Sequence, residues 1–506
     1  MTQERYDAMF ARMQKLTDLI GASSLLGWDM HTHMPPKGAP VRAERMGTLS
    51  ATIHELLTSA ETGKLIDGAE DYARAQGEDS FELAVWKDAR REFDKATLIP
   101  TELATELARA HSLGNTAWME ARANNDYDAF KPFLKHNYEL AQQVIDLTRS
   151  YYPHAEEDYD ILLDDYERGM KTSEIAAVFD AFKEGARPLV EKIAAAANDD
   201  RDKAIFGHFP EADQNKLVTE VVKAVGFTDD AWNLTVTTHP FASSMAINDI
   251  RITTKYEEDF FNPSFFGTLH EFGHGLYEHQ IDEKYERTTL GNGVSMAWHE
   301  SQSRMWENLI GRSLPFWKWA TPKVQAVFGE QFAGMEAEDM YRAVNGMGPS
   351  LIRIEADELT YNYHIIIRFE LERELLAGNI SFDDLPEAWN ARIKDYLGLD
   401  VPSNREGVLQ DVHWSFGSIG YFPTYALGNV LAAMLWKRIN ADLPNLASEI
   451  EAGEFASLRE WSREHIHQYG SHYSPLDLME KVLGTRTLCA DPLLEYLGQK
   501  VDELYG

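Results

Sequence analysis

Cysteine is almost absent from this sequence: Cys489 stands alone among 506 residues. An internal disulfide is therefore impossible, a Cys-rich zinc module is excluded, and a reducing compartment suits the chain. Positive charge is scarce too. Lys and Arg number 48 against 82 Asp and Glu, and 48 minus 82 leaves a net charge of -34 at pH 7. With no basic run to offset it, that charge repels the phosphates of DNA, RNA and anionic lipid. Long apolar runs are missing as well, none approaching the roughly 20 residues that span a bilayer. Met1–Tyr6 is polar and lacks the basic start of a signal peptide, while Leu19–Trp28, flanked by Asp18 and Asp29, reads as an amphipathic helix. No repeat of fixed period and no low-complexity linker is found. These absences point to a soluble, cytoplasmic protein without nucleic-acid or membrane partners, in which any metal is held by His and carboxylates.

What is present is material for a large core: 44% of residues are apolar and 11% aromatic, a globular composition. The length allows two or three domains, although a helical chain can run this long as one body. Phe10, Met13, Leu16 and Ile20 follow one another in steps of three and four, the spacing of one helix face, until Met34-Pro35-Pro36-Lys37-Gly38 breaks the pattern. Helical periodicity returns in Arg42–Leu57, Phe81–Ala96, Glu102–Asn124, Tyr127–Arg149 and Thr172–Ala197. Leu234–Thr238 and Ala246–Tyr256 alternate β-branched with polar residues and predict two short strands. Helices resume at Pro263, with breaks at Asn345–Pro349 and Leu397–Gly407. The expectation is a mainly α fold over residues 1–506, one helical assembly with a minor sheet.

The chemistry lies in Asn262-Pro-Ser-Phe-Phe-Gly-Thr-Leu-His270-Glu271-Phe-Gly-His274-Gly-Leu-Tyr277. Asn262 fits an N-cap with Pro263 at the first helical position, and Phe265, Leu269, Phe272 and Leu276 form an apolar stripe. His270 and His274 share another face. Imidazoles one turn apart can converge on one zinc ion, and Glu271 beside them can take a proton from the water that the ion activates. Such a five-residue pattern also arises by chance; the helix start signal, the preceding strands and the lack of cysteine ligands favour the metal.

A catalytic zinc needs a third protein ligand and one open position. Glu278 continues the spacing but fails on geometry, because eight residues at a rise of 1.5 Å set it about 12 Å from His270 along the axis. The metzincin solution fails as well, since Tyr277 and Gln280 stand where Gly and His are needed. A carboxylate from a second helix remains. Ser295-Met-Ala-Trp-His299-Glu300 offers one, with Ser295 as N-cap and Trp298, Met305 and Leu309 on the packed side. Glu300 is preferred, Glu307 is a poorer competitor, and an ordinary exposed glutamate is the bland alternative.

At these residues the chain resembles the carboxypeptidase Taq family of zinc-type metallocarboxypeptidases. The family's H-P-F, D-x-R-x-T, H-E-x-x-H, H-E-S-[QG], [I/R]-x-x-A-D and G-x-x-Q-D-x-H-W elements occur in order, as His239-Pro240-Phe241, Asp249-Ile-Arg251-Ile-Thr253, His270 to His274, His299-Glu300-Ser301-Gln302, Ile352-Arg353-Ile-Glu-Ala356-Asp357 and Gly407-Val-Leu-Gln410-Asp411-Val-His413-Trp414. Trp28-Asp29 and Met34-Pro35-Pro36 extend the likeness to the N-terminal region. The resemblance implies His270, His274 and Glu300 as metal ligands and Glu271 as general base. It implies a mostly helical homodimer with a small sheet beside the active-site helix and a long central groove, similar to neurolysin and angiotensin-converting enzyme. Approximately residues 1–100 would form a helical lid on that groove. The pair His31-x-His33 reads as a surface turn.

Releasing a C-terminal residue also needs an oxyanion donor and a group that recognises a free carboxylate. Arg353 suits the carboxylate, because guanidinium can grip two oxygens, and the resemblance assigns this role to Arg353 and His413. Read without it, Arg353 would pair with Glu355 or Asp357, and His413 would be a core histidine. Tyr421 and Tyr425, on a Gly/Pro-rich loop, are candidate donors to the oxyanion. His239, Asp249 and Arg251 carry no firm chemistry; the strand Asp249–Thr253 would edge the groove and bond extended substrate, or serve as support. The reading is a carboxypeptidase of broad specificity acting on peptides with a free C-terminus. It would use zinc, with cobalt or manganese also fitting two His and one Glu. An internally cutting metallo-oligopeptidase and a non-catalytic helical peptide-binding protein are the alternatives.

Overall fold

The computed structural model describes residues 2–196 and 200–506, which form twenty α-helices and one three-stranded sheet. Helix α1 (Thr2–Thr32) packs through Phe10, Met13 and Leu16 of the stripe read from the sequence, while Ile20 stays exposed, and it ends just before the Pro35-Pro36 breaker. It packs with α2 (Ala39–Thr58), α3 (Ala60–Ala75) and α4 (Phe81–Leu98). Sequence periodicity misses α3, because its buried face is made of Gly63, Ile66, Ala69 and Ala73, too small to register as an apolar stripe. Met9, Met13 and Leu16 meet Ile66 and Trp86 in a core of their own, joined to the rest of the molecule through Ile281, Tyr285 and Leu290.

Of the next helices, α5 (Thr101–Asn124), α6 (Tyr127–Thr148) and α8 (Thr172–Ala195) match helical periodicities read from the sequence, whereas α7 (Asp158–Leu163) and α9 (Glu211–Val225) are not among them. The expected end of α8 at Ala197 lies outside the described residues. Two larger cores then carry the body. Its helices are α10 (Asn262–His279), α11 (Met296–Arg304), α12 (Leu314–Val327), α13 (Ala337–Val344), α14 (Tyr361–Leu376), α15 (Leu385–Leu397), α16 (Pro423–Asp442), α17 (Leu446–Ala452), α18 (Ala456–His465), α19 (Pro475–Leu483) and α20 (Asp491–Tyr505). Among the described residues no helix is long and apolar enough to cross a membrane.

The sheet contains β1 (Trp232–Val236), β2 (Ala242–Ala246) and β3 (Asp249–Thr254) in the order β1-β3-β2, with β1 parallel and β2 antiparallel to β3. Asp249–Thr253, expected at the groove edge, is instead the central strand. The edge strands are β1 and β2, and the one facing the groove is β2, which sequence alone overlooks because Ala242-Ser-Ser-Met-Ala246 has no β-branched residue. The sheet packs on α10, where Trp232 stacks on Phe272 at 5.4 Å between ring centres. Phe265, Leu269, Phe272 and Leu276 are all buried as the stripe requires. The cap differs from expectation: Phe261 takes the N-cap position and Asn262 is already helical.

Close helix approach is built on glycine. A Cβ on Gly273 would lie 2.5 Å from the Gln302 carbonyl oxygen and 2.6 Å from Ser303 Cα, so α10 and α11 touch backbone to backbone. On the other side of α11, a Cβ on Gly428 of α16 would meet Glu300 Cβ and Cγ at 2.5 Å. Gly273→Ala is expected to push these helices apart at a cost of about 1–3 kcal/mol. Gly267→Ala on the same helix, with nothing within 4 Å of the new methyl, should stabilise by up to about 1 kcal/mol through helix propensity. Denaturant unfolding of both variants checks the pair; equal effects would contradict the tight packing.

Candidate metal centre and active site

Helix spacing and the α10–α11 contact bring His270, His274 and Glu300 together, with one ligand atom from each lying within 4.8 Å of the others. Glu300 Oε2 is 3.7 Å from His270 Nε2 and 3.5 Å from His274 Nε2. Two imidazole nitrogens and one carboxylate oxygen at this separation fit a divalent ion with an open position.

The groups behind the ligands fit it equally. His270 Nδ1 lies 2.8 Å from Glu307 Oε2, the carboxylate–histidine arrangement that directs Nε2 toward a metal. His274 Nδ1 is 3.3 Å from His299 Nδ1, and His299 Nε2 is 2.6 Å from Glu278 Oε1, a relay that orients the second imidazole. Glu300 is divided between its oxygens: Oε1 accepts from Arg304 Nε at 2.6 Å, leaving Oε2 toward the histidines. Arg304 also donates to Glu307 at 3.0 Å. Glu278 and Glu307, the weaker sequence candidates for third ligand, thus stand one layer behind the ligands. The signal for Arg304 was present as the i,i+4 spacing from Glu300.

Electrostatics favour a cation. Burial opposes charge on Glu300, but Arg304 and His270 outweigh it and hold its carboxyl well below the usual range. Burial also drives His274 down to about 4, leaving a neutral imidazole able to ligate. Glu271 is buried at the same site, and desolvation pushes its carboxyl up to about 7; a divalent charge nearby would favour its carboxylate form.

The site opens into a cavity of about 1230 Å³. Ile20, Gly21 and Leu25 of α1 and Arg91 of α4 line one side; β2, His270, Glu271, His274 and Glu300 line the other. Tyr421, Thr424 and Tyr425 form a further wall. Burial and the charge of Glu300 push the Tyr421 hydroxyl up to about 12, so it remains a proton donor.

Arg353 and His413 stand behind this wall. His413 Nε2 is 3.1 Å from the Tyr425 hydroxyl, and burial lowers this imidazole to about 4 despite Asp411. Arg353 is buried with its guanidinium 5.1 Å from the Tyr425 ring centre. Its partner is neither Glu355 nor Asp357: Nε and Nη2 donate to Asp411 at 3.0 and 2.7 Å, and Nη1 donates to the Tyr361 hydroxyl at 3.0 Å. Three of the five guanidinium N–H groups are thereby used, and one on each Nη is free to bind another acceptor. Asp357 instead accepts from the backbone N–H groups of Leu359 and Thr360 in the turn that precedes α14.

Two sequence elements without assigned chemistry receive structural roles. Asp249 and Arg251 pair side-on at 2.8 and 2.9 Å, and the Arg251 guanidinium lies 4.5 Å over Trp28, fastening α1 to the sheet. Thr253 Oγ1 accepts from Phe241 N at 2.7 Å, tying the D-x-R-x-T and H-P-F elements together. His239 is exposed beside them, as are His31 and His33 near the end of α1.

Comparison with known proteins agrees over the whole chain. Residues 8–501 match the carboxypeptidase Taq (M32) metallopeptidase family. Thermostable carboxypeptidase 1 of Thermus thermophilus is 38% identical over 512 residues, covering 100% of both chains. Carboxypeptidase 1 of Bacillus subtilis is 37% identical over 496 residues, covering 98% of each. Among solved structures, the M32 carboxypeptidase of Deinococcus radiodurans superposes with a TM-score of 0.94 at 38% identity, covering 99% of this chain and 100% of that one.

The supporting shell carries its own prediction. Glu307→Gln should leave the protein folded but loosen metal binding by about 10–100-fold, since His270 loses its orienting carboxylate. Competition with a chromogenic chelator measures this, and unaltered affinity would rule the role out.

Proposed function

The chain belongs to the carboxypeptidase Taq (M32) metallopeptidase family, and on that premise we propose how its residues share the reaction. It is a metal-dependent carboxypeptidase, a hydrolase that removes residues from the C-terminal end of peptides. The observation that carries the residue assignment is the convergence of His270, His274 and Glu300 beside the buried carboxyl of Glu271, on the wall of a large cavity.

A divalent ion in that set, proposed to be zinc with cobalt or manganese as fitting substitutes, supplies Lewis acidity that polarises a carbonyl and acidifies water. Glu271 is the general base: its carboxylate accepts a proton and passes it to the nitrogen of the departing residue. The Tyr421 hydroxyl, with Tyr425 beside it, donates to the oxygen of the attacked carbonyl as negative charge grows there. His413 steadies Tyr425 from behind. The free carboxylate is recognised by the uncommitted N–H groups of Arg353.

Upstream, β2 supports an extended substrate. It is the sheet edge that lines the cavity, so its backbone can bond a peptide strand while its alanines and serines leave side chains unconstrained. In this reading the enzyme tolerates varied side chains and handles proline, which lacks the N–H, poorly. Residues 1–100 act in this reading as a roof over the groove, and the working form is a cytoplasmic homodimer.

Two experiments test the assignment. Glu271→Gln should keep its metal, as read by elemental analysis, yet lose at least about a hundredfold in kcat; wild-type turnover would remove Glu271 as the base. Amidating the C-terminus of a test peptide should abolish most cleavage, whereas equal cleavage of free and amidated forms would indicate internal cutting.

A further inference from the structure

We propose that Arg368, which touches neither the cavity nor the metal ligands, is the positioning residue that gives the carboxylate-recognising wall its net positive charge. The inference rests on the reading of Arg353 as the group that meets the substrate's free carboxylate.

Arg368 projects from α14 and is fully buried, with its guanidinium 4.4 Å from the Trp389 ring centre and 5.4 Å from that of Phe422. Nε donates to Asp411 Oδ2 at 2.7 Å, Nη2 is 2.6 Å from the same oxygen, and Nη1 donates to the His364 carbonyl at 2.6 Å. Asp411 is thus shared: Oδ1 accepts from Arg353 alone, while Oδ2 accepts from Arg368 at 2.7 Å and, more weakly, from Arg353 Nε at 3.3 Å.

The charge count decides what this sharing does. Arg353 and Asp411 alone would form a neutral buried pair with no pull on an anion. With Arg368 added, two guanidiniums face one carboxylate, and one positive charge is left over. The surrounding imidazoles do not alter the sum: burial and the two arginines lower His364 to about 3, and His413 is likewise neutral. Glu372 is the other acid in the cluster; burial raises it to about 7, and its oxygens accept from Tyr159, Trp414 and Gly420 rather than from an arginine, so the surplus is one full charge below that pH and shrinks above it as Glu372 ionises. The strain of the surplus shows on Arg368 itself, where burial, with the repulsion of Arg353 added, overcomes Asp411 and brings the guanidinium down to about 10.

An uncompensated buried charge is expensive. A substrate carboxylate arriving at Arg353 would cancel it, whereas an amide would not. Arg368 therefore sets the preference for a free chain end through Asp411, without contacting it.

The test compares free and amidated forms of one peptide in three full-length variants, with thermal melting as a control for folding. Arg368→Met, which keeps a polarisable side chain between Trp389 and Phe422, neutralises the cluster. It should raise KM for the free peptide and narrow the free-over-amide preference, each by about tenfold, with a smaller effect on kcat. Arg368→Lys keeps the charge and should retain most of the preference. Asp411→Asn changes the cluster from one surplus charge to two and should keep the preference even though it breaks the same contacts. A loss confined to kcat in Arg368→Met, or equal loss of preference in Asp411→Asn, would reduce Arg368 to a scaffold residue and overturn the inference. If the wild-type enzyme itself fails to distinguish free from amidated peptide, the reading of Arg353 fails first.

Discussion

The structure turns on one carboxylate with two obligations. Glu300 is wedged against Gly428 so tightly that a methyl group there would overlap its side chain, and Arg304 claims one of its oxygens. What remains is a single oxygen aimed between two imidazoles. Because Arg304 also reaches Glu307, which holds His270, the proposed third ligand and the first are fixed by the same guanidinium. Position and charge state are therefore settled together: the contacts that stop Glu300 from turning away also keep it ionised.

A second charged assembly stands across the cavity wall and works by the opposite imbalance. Around the metal ligands, carboxylates outnumber the cationic side chains and call for a positive ion. Around Asp411, guanidiniums outnumber carboxylates and call for a negative group. A peptide's end is the complement of such a pair, with a carbonyl oxygen to meet the cation and a carboxylate to meet the arginines. In a protein this acidic, such a local reversal of sign is the proposed place for an anionic chain end.

Much of this was legible in the sequence, for definite reasons. His270 and His274 announce themselves because a helix repeats faces every three to four residues, and Glu300 follows from the length of chain needed for a second helix to return. The breaks at Pro35-Pro36 and near Asn345 are local chemistry and show directly. What escaped depends on partners distant in sequence. Helix α3 is held by glycine and alanine packing that produces no amphipathic stripe. Strand β2 owes its conformation to pairing with β3 rather than to its own side chains. Arg353 offered Glu355 and Asp357 as neighbours in the chain, yet it pairs with Asp411, 58 positions away.

In the proposed reading, the free flank of β2 sets what the enzyme can and cannot read. A rail of peptide groups trimmed with methyls and hydroxymethyls registers the regular beat of a polypeptide backbone and ignores the lettering hung on it. Discrimination upstream of the cut therefore falls on the main chain: N-methylated or ester-linked residues, unremarkable in size, would be felt more keenly than any exchange of one ordinary side chain for another.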